Sequence, residues 1–413
     1  MKIGIVGGGT GGIVSAMECV ARSLKWTKVD LIYDPELPIL GVGESLAHDF
    51  VLSLREATQY IIPFDNTKLN STQKLGVCFA DWAKSQDFPE TLKGYLPNTC
   101  QGLHVDTYCL RDFVLPRIKH YWGHKFNEVH VNVKDIIQDE KKAFVVTDNE
   151  KLEYDYVMDC RGLQDTIDDT YESVPSTVNA VVLNQCEWPG DWNWTYHIAH
   201  KDGWMFGIPL YHRSSWGYLF NSDVTPIDEA ITNSHEFLRS HRIPKQHIDY
   251  NHLKDNLKVI QWKPYHSKKI VDGRIMRNGA KVYQYEPLHG YSVPMFRQMS
   301  NFFLEYVMHQ KSEKEMNDTY HYYLNSFRDL IAFHYHRGSI YDTPFWSYIK
   351  KVASNQLDNS DWMRICLDTN FDLEGAVQME DIWSTSVVAH PMFIWELDKA
   401  FDFHYFDHLP DHL

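Results

Sequence analysis

KIGIVGGGTGG, residues 2–12 of this chain of 413 residues, carries the clearest fold signal in the sequence. Its apolar run ends at Val6 and three glycines follow at once, after which Ile13 and Ala16 begin a spacing typical of an α-helix. A second apolar run covers residues 29–33. This order predicts a strand, a glycine-rich turn, a helix and a second, parallel strand, which is the βαβ unit of an α/β fold.

Three glycines of that turn, Gly7, Gly9 and Gly12, match the spacing G-x-G-x-x-G. Glycines at these places allow a tight turn and let the backbone approach a diphosphate at the N-terminus of the helix. Asp34 follows the second strand, where an acid usually accepts hydrogen bonds from the ribose of a dinucleotide. An ordinary turn aspartate before Pro35 is the alternative interpretation of this residue.

The middle of the chain alternates between apolar and polar residues, and its last third has helical spacing, as in Phe327 and Ile331. We expect a module of strands and helices over residues 1–310 and a mainly helical region over 311–413. The predicted strands are a meander over 129–133, 143–147 and 154–158, and further strands at 180–183, 195–199, 204–208 and 216–221.

The net charge of -15 argues against binding to nucleic acid or to an anionic membrane, because a polyanion is attracted only by an excess of Lys and Arg. Seven scattered cysteines and a start without a basic, apolar leader favour a reducing cytoplasm. His404, His408 and His412 have a spacing that suits a metal on a helix. Pro410 interrupts that helix, so no metal site is expected.

Several passages, in the same order along the chain, resemble motifs of the flavin-dependent tryptophan halogenases. PILGVGES, residues 38–45, resembles the passage I-P-x-I-G-V-G-E, and Lys74 matches the essential lysine of the family. The chain is identified as a short, divergent member on these passages together with five more. They are HVD at 104–106, DCRG at 159–162, WMFGIP at 204–209, EPLHGYS at 286–292 and DTPFW at 342–346, which resemble H-F-D, D-C-[ST]-G, W-x-W-x-I-P, [DE]-P-L-E-S-T-G and D-T-P-F-W.

The resemblance implies a Rossmann-type FAD-binding domain (GR2-like) and a β-sheet substrate layer, whose interleaved segments form one catalytic module over residues 1–310. It implies that the mainly helical C-terminal region over 311–413 lies on the substrate side. It also implies an enzyme that takes reduced FAD from a separate flavin reductase and uses oxygen and a halide ion to make hypohalous acid. That acid would halogenate an electron-rich aromatic small molecule. Besides Gly7, Gly9, Gly12 and Asp34, the residues implied beside the cofactor are Gly43, Glu44, Asp159, Gly162, Glu286 and Pro287.

Lys74 and His289 are the implied catalytic residues. Lys74 would hold hypohalous acid or form a haloamine, which a lysine allows because burial shifts its pKa readily. His289 stands where the family has a catalytic glutamate, and it is either the proton acceptor or a loop histidine bonded to backbone. The backbone of Tyr291 and Ser292 would bind halide, and the residues implied to wall off the substrate are His104, Trp204, Phe206, Ile208 and Pro209.

Two other functions remain open from the sequence. A flavin-dependent monooxygenase would insert oxygen directly and give hydroxylated products. An FAD-binding protein that has lost turnover is the second alternative, because the glutamate expected at position 289 is a histidine.

Overall fold

The computed structural model describes residues 1–39, 43–46, 48–62, 64–82, 91–95, 102–162, 167–175, 177–186, 192–239, 257–290, 292–336 and 338–360. Internal contacts divide the chain into two compact units. The first contains Met1–Thr72, Leu103–Val174 and Lys263–Tyr322. The second contains Gln73–Gly102, Pro175–Trp262 and the described residues from Tyr323 onward.

The helices longer than one 3-10 turn are α1 (Thr10–Arg22), α2 (His48–Thr58), α3 (Asn66–Leu69), α4 (Thr107–Trp122), α5 (Ile227–Arg239), α6 (Ser292–Val307), α7 (Glu313–Tyr335) and α8 (Pro344–Asp358). The strands are β1 (Lys2–Val6), β2 (Lys28–Tyr33), β3 (Gly43–Leu46), β4 (Thr72–Lys74), β5 (Gly76–Ala80), β6 (Thr91–Tyr95), β7 (Gly102–Asp106), β8 (Phe126–His130), β9 (Val133–Gln138), β10 (Ala143–Thr147), β11 (Lys151–Tyr154), β12 (Tyr156–Asp159), β13 (Tyr171–Ser173), β14 (Ala180–Cys186), β15 (Trp194–His200), β16 (Gly203–Pro209), β17 (Ser214–Phe220), β18 (Lys258–Gln261), β19 (Tyr265–Ser267), β20 (Val271–Asp272), β21 (Ile275–Arg277) and β22 (Tyr283–Gln284).

The first unit is built on a six-stranded sheet of order β20-β21-β12-β1-β2-β8. All neighbours in it are parallel except β20 and β21. The strand, turn, helix and strand predicted at the N-terminus are therefore confirmed as β1, α1 and β2. Parallel strands are buried on both faces, which explains why β1 and β2 are almost continuously apolar.

The prediction of one meander over residues 129–158 is wrong at both of its ends. Only β9, β10 and β11 form the antiparallel meander, whereas β8 and β12 join the parallel sheet. The alternation at 129–133 crosses the bend between β8 and β9. Val129, Val131 and Val133 all pack against one apolar cluster, so a shared face, not a single strand, produces their spacing.

The second unit is built on a seven-stranded sheet of order β18-β14-β17-β16-β15-β5-β6. It contains the four further strands that the sequence predicts, as β14, β15, β16 and β17. Helix α5 covers one face of this sheet, where Phe237 and Leu238 pack with Met205 and Tyr218. The molecule is thus a mixed α/β fold, as predicted.

Helices follow in the last third of the described chain, as the spacing predicts. Phe327 and Ile331 lie on α7 with 4% and 0% exposure. The predicted division at residue 310 stays a prediction, and residues 361–413, which include His404, His408 and His412, lie outside the described part. Within that part, every helix is too short or too polar to cross a lipid bilayer.

Candidate functional site

The glycine-rich turn joins β1 to α1 at a point where the backbone passes very close to itself. Gly7 has φ +125°, a conformation that favours glycine. A Cβ on Gly12 would lie 1.8 Å from the carbonyl oxygen of Gly7, so no other residue fits there. A Cβ on Gly9 would meet nothing within 4 Å, which places open space in front of the turn.

Helix α1 begins at this turn without a side-chain cap. Gly9 is its N-cap residue and offers no side-chain acceptor to the first N–H groups. These donors and the helix dipole form an anion site of the kind that binds dinucleotide diphosphates. Asn278 stabilises the start of α1 and links it to α6. Its side-chain amide donates to Ser15 Oγ at 2.9 Å and to Ser300 Oγ at 3.0 Å.

Asp34 lies at the end of β2, at the same edge of the parallel sheet as the turn. Its Oδ1 accepts a 2.9 Å hydrogen bond from the N–H of Glu36. This contact is that of a turn aspartate, and it also fixes the carboxylate at the edge where a ribose would lie. The geometry is compatible with both interpretations of Asp34.

Asp159 ends β12, the strand next to β1. Its carboxylate accepts two hydrogen bonds from the guanidinium of Arg161, at 2.9 Å from Nε and 2.8 Å from Nη2. Arg161 stands where the resembling motif has a serine or threonine. Gly162 follows it, and a Cβ there would meet nothing within 4 Å.

Gly43 and Glu44 form the start of β3, which pairs with β7 in the first unit. The carboxyl of Glu44 is only partly exposed, and burial raises its pKa to about 7. Tyr283 lies within electrostatic reach of this carboxyl and hydrogen-bonds the side chain of Ser292, the first residue of α6. The structure thus brings the passage of residues 43–46 together with the start of α6.

The segment that contains Glu286, Pro287 and His289 packs against β3. Glu286 is 5% exposed. A short 3-10 helix, Leu288–Gly290, follows, and Gly290 has φ +62°. A Cβ on Gly290 would lie 2.6 Å from the carbonyl oxygen of Ser45, which explains the glycine at this position. The side chain of His289 and the whole of Tyr291 lie outside the described residues.

His104 and Asp106 of the HVD passage have local roles in the first unit. His104 is fully buried on β7, and its Nδ1 lies 3.2 Å from Thr72 Oγ1, at the start of the strand that ends in Lys74. Asp106 is the N-cap of α4 and accepts a hydrogen bond from the N–H of Tyr108. Asn70 donates to the other oxygen of Asp106 at 2.8 Å.

Lys74 ends β4 and is 4% exposed, in the second unit. Burial of a lysine side chain is uncommon, because desolvation penalises the ammonium form. Burial holds the pKa of the His197 imidazole well below its usual range, and the charge of Lys74 lowers this pKa further. Lys74 and His197 therefore lie within electrostatic reach of one another.

An aromatic cluster occupies the face of the seven-stranded sheet opposite α5. His197 stacks on Phe79 with ring centroids 4.6 Å apart, in register across the β5–β15 pair. Trp204 lies 5.6 Å from His197 and 5.7 Å from Trp82. The members of this cluster are Phe79, Trp82, His197, Trp204, His334, Tyr335 and Trp346.

The remaining predicted wall residues follow Trp204 on β16. Phe206 is partly exposed, and its ring fits only because Gly217 faces it, since a Cβ there would lie 2.1 Å from the ring. Ile208 and Pro209 are buried at the end of the strand. The structure thus places Trp204 in the aromatic cluster and Phe206, Ile208 and Pro209 further along the same strand.

The DTPFW passage begins α8 and anchors it to the second unit. Thr343 is the N-cap of the helix, and its hydroxyl donates to the carbonyl of Lys201 at 2.6 Å. Pro344 occupies the first turn, where a missing N–H costs nothing. Trp346 Nε1 donates to the carbonyl of His200 at 2.7 Å.

Sequence reasoning missed the two buried histidines of the cluster, His197 and His334. Burial lowers the pKa of His334 to about 4, and its Nδ1 lies 2.7 Å from the carbonyl oxygen of Leu330. The sequence pattern could have indicated that His197 is buried, because this residue alternates with Ile198 on a strand whose other face is apolar. No signal in the sequence pairs it with Phe79 or Trp204.

Comparisons with known proteins agree with this architecture. The sequence model of a family described as tryptophan halogenase matches residues 2–128 and, in a second and overlapping match, residues 86–363. A tryptophan halogenase from Shewanella frigidimarina NCIMB 400 is similar in structure, with 15% identity and a TM-score of 0.76 over 100% of this chain and 90% of that chain.

Two more solved structures share the fold. A tryptophan 6-halogenase (SttH) from Streptomyces toxytricini has 17% identity and a TM-score of 0.71, over 86% of this chain and 84% of that chain. Xcc4156, a flavin-dependent halogenase from Xanthomonas campestris, has 15% identity and a TM-score of 0.69, over 97% of this chain and 95% of that chain.

Proposed function

This chain belongs to the tryptophan halogenase family, and from that premise we propose that it halogenates an electron-rich aromatic small molecule. It is a flavin-dependent halogenase, an oxidoreductase that binds FAD. We propose further that reduced FAD comes from a separate flavin reductase and that the second substrate is a halide ion. The family match favours this function over a hydroxylating monooxygenase or an FAD-binding protein without turnover.

The residues of the first unit fit an FAD molecule. The close approach of Gly12 to Gly7 and the open space at Gly9 form a backbone cradle next to the uncapped start of α1. The diphosphate would lie there, because N–H donors and the helix dipole favour negative charge. Asp34 would accept hydrogen bonds from the ribose, and the residues proposed to lie beside the remaining cofactor are Gly43, Glu44, Asp159, Gly162, Glu286 and Pro287.

The buried amine of Lys74 carries the proposal for the chemistry. Reduced FAD, when bound, supplies with oxygen the oxidising power that converts halide to hypohalous acid. Lys74 would then hold that acid by a charge-assisted hydrogen bond. Alternatively its neutral amine attacks the halogen, so that an N–halogen bond forms, the O–halogen bond breaks, and hydroxide leaves with the amine proton as water.

Substrate and halide residues complete the proposal. The N–H groups of Tyr291 and Ser292 would bind halide, which depends little on side-chain identity. His289 would accept the proton that the aromatic ring loses on halogenation. Trp204, Phe206, Ile208 and Pro209 are proposed to wall off the substrate, because apolar side chains suit an aromatic molecule, and His104 is proposed as a further wall residue.

The test is a mass-spectrometric product assay with FAD, a flavin reductase, NADH and chloride or bromide, on a panel of indoles and phenols. The wild-type chain should give halogenated products. Lys74→Ala should give none, while it still binds FAD and consumes reduced flavin. Lys68→Ala is the matched control, because this nearby lysine on α3 is 66% exposed and pairs only loosely with Asp65.

Two results would contradict the proposal. A normal yield of halogenated product from Lys74→Ala would remove the lysine from the mechanism. Hydroxylated products without halogenated ones, in the presence of bromide, would assign the chain to the monooxygenases.

A further inference from the structure

Three segments that are proposed to lie around FAD each lead into a helix of the first unit. The glycine-rich turn leads into α1, the passage of residues 43–46 leads into α2, and the segment of residues 286–290 leads into α6. The positions of α1, α2 and α6 relative to one another therefore set how the three segments face the cofactor.

Helices α1 and α6 contact each other close to the glycine-rich turn. A Cβ on Gly11, in the first turn of α1, would lie 3.8 Å from the ring of Phe296 on α6. The carbonyl oxygen of Phe296 accepts a 2.8 Å hydrogen bond from the side-chain amide of Asn278, which also donates to Ser15 Oγ on α1. A shift of α6 at this point would therefore be felt at the start of α1.

Arg297, the residue after Phe296, joins α6 to both of the other helices. Its Nη1 donates to Asp49 Oδ2 at 2.8 Å and its Nε donates to Ser53 Oγ at 2.7 Å, and both of these partners are on α2. Nε also lies 3.3 Å from Glu18 Oε1 on α1. One guanidinium thus contacts α1 and α2 from its place on α6.

Glu18 makes this link sensitive to the loss of a cation, because its side chain is 0% exposed. Burial raises the pKa of this carboxyl, whereas the charge of Arg297 and, to a smaller extent, that of Arg22 lower it. Arg22 Nε lies 2.8 Å from Glu18 Oε2. A buried carboxylate that loses one of its cations is destabilised, and the packed helices around it must shift to relieve that cost.

We propose that Arg297 is a positioning residue for FAD, which holds α1 and α2 against α6 so that the three cofactor segments keep the arrangement that binds the flavin nucleotide. The inference rests on the proposed function, since it concerns the same cofactor. Arg297 acts through the helices and not by contact with FAD. A site whose competent arrangement is populated for a tenth of the time binds its ligand about tenfold more weakly.

The test is a titration with oxidised FAD, followed by flavin fluorescence, at a temperature at which circular dichroism shows each variant to be folded. Arg297→Gln should weaken the binding of FAD by about tenfold or more. Arg297→Lys should restore most of the affinity, because it keeps a cation between Glu18 and Asp49. Asp49→Asn, which removes only the ion pair with α2, should weaken FAD as well, and it is the test variant if Arg297→Gln does not fold.

Arg22→Gln is the matched control. It removes the second cation of Glu18 together with a 3.0 Å contact to Glu56, so the carboxylates that Arg22 contacts lie on α1 and α2 and not on α6. Its loss should lower the free energy of unfolding, as the loss of Arg297 should, but should leave the affinity for FAD at the wild-type value. Urea unfolding of each variant measures the change in stability.

Wild-type affinity for FAD in Arg297→Gln, or in Asp49→Asn where it replaces that variant, would overturn the inference. Equal losses of affinity in Arg297→Gln and Arg22→Gln would overturn it too, because general destabilisation would then be the cause. A wild-type chain that binds FAD but gives no halogenated product would contradict the proposed function and leave this comparison of affinities intact.

Discussion

The indole Nε1 of Trp204 donates a hydrogen bond of 2.7 Å to the hydroxyl of Tyr335, and both side chains are fully buried in the second unit. The two residues are 131 positions apart in the sequence. The bond therefore joins β16, the strand that contains most of the proposed substrate-wall residues, to the end of α7. A buried indole N–H that loses its acceptor pays a desolvation cost without compensation.

Tyr335→Phe should therefore lower the free energy of unfolding by about 1–3 kcal/mol. Chemical denaturation followed by tryptophan fluorescence measures this change. Trp204→Phe combined with Tyr335→Phe should cost less than the sum of the single changes, since the double variant leaves no orphaned donor. Strict additivity would mean that the hydrogen bond contributes nothing.

The stability of the second unit should fall as the pH falls from about 6.5 to about 4. The pKa of His334 is about 4 in the folded chain, because the imidazole is buried, and about 6.5 in the unfolded chain. The unfolded state therefore binds more protons in this window, so that the neutral folded form loses stability, by about 3 kcal/mol at the acid end. His197 acts in the same direction.

Urea unfolding at several pH values tests this dependence. His334→Gln should flatten the curve, since Gln carries no titrating group and still offers an amide to the carbonyl of Leu330. His120→Gln, at an exposed position on α4, should leave the curve unchanged. A wild-type curve that is flat between pH 6.5 and 4 would contradict the burial of both histidines as neutral groups.

The N-terminal βαβ unit could be predicted from the sequence because the backbone itself requires its glycines. Gly12 leaves no room for a Cβ. This steric requirement determines the residue type at the same position, so it is visible in the local sequence. Four strands of the second sheet, β14 to β17, were predictable for a similar local reason, since their apolar residues follow one another in short runs, whereas β5, β6 and β18 were not predicted.

Contacts between distant segments could not be predicted in this way. Nothing near His197 in the sequence shows that it stacks on Phe79, and nothing near residue 129 shows that β8 pairs with β2 in place of β9. The pairing of Arg161 with Asp159 is local, yet its place beside the glycine turn follows only from the order of β12 and β1 in the sheet. The local sequence pattern predicts individual helices and strands. Which of them become neighbours is decided by burial against segments that are distant in the sequence.

Restoring the family's serine at position 290 should damage this chain. Gly290 has φ +62°, and a Cβ would lie 2.6 Å from the carbonyl oxygen of Ser45. Gly290→Ser should lower the free energy of unfolding by about 1–3 kcal/mol through backbone strain and this clash. Gly162→Ser is the matched control for stability, since a Cβ there meets nothing within 4 Å. Equal losses in the two variants would rule out the close approach as the cause.

Glu44→Gln should stabilise the chain at neutral and alkaline pH. Burial raises the pKa of this carboxyl to about 7 in the folded state, against about 4.3 in the unfolded chain. The folded state thus holds a proton that the unfolded state has lost, so the contribution of Glu44 is complete below about pH 4.3 and disappears as the pH rises through 7. An amide keeps the neutral form at every pH, and the variant should gain about 1–3 kcal/mol over wild type at pH 8.

Unfolding curves at pH 5 and pH 8 measure the difference, with Glu56→Gln as the control because that carboxylate is 51% exposed on the neighbouring helix α2. A variant that is less stable than wild type at pH 8 would show instead that the ionised carboxylate of Glu44 is the form that the fold requires.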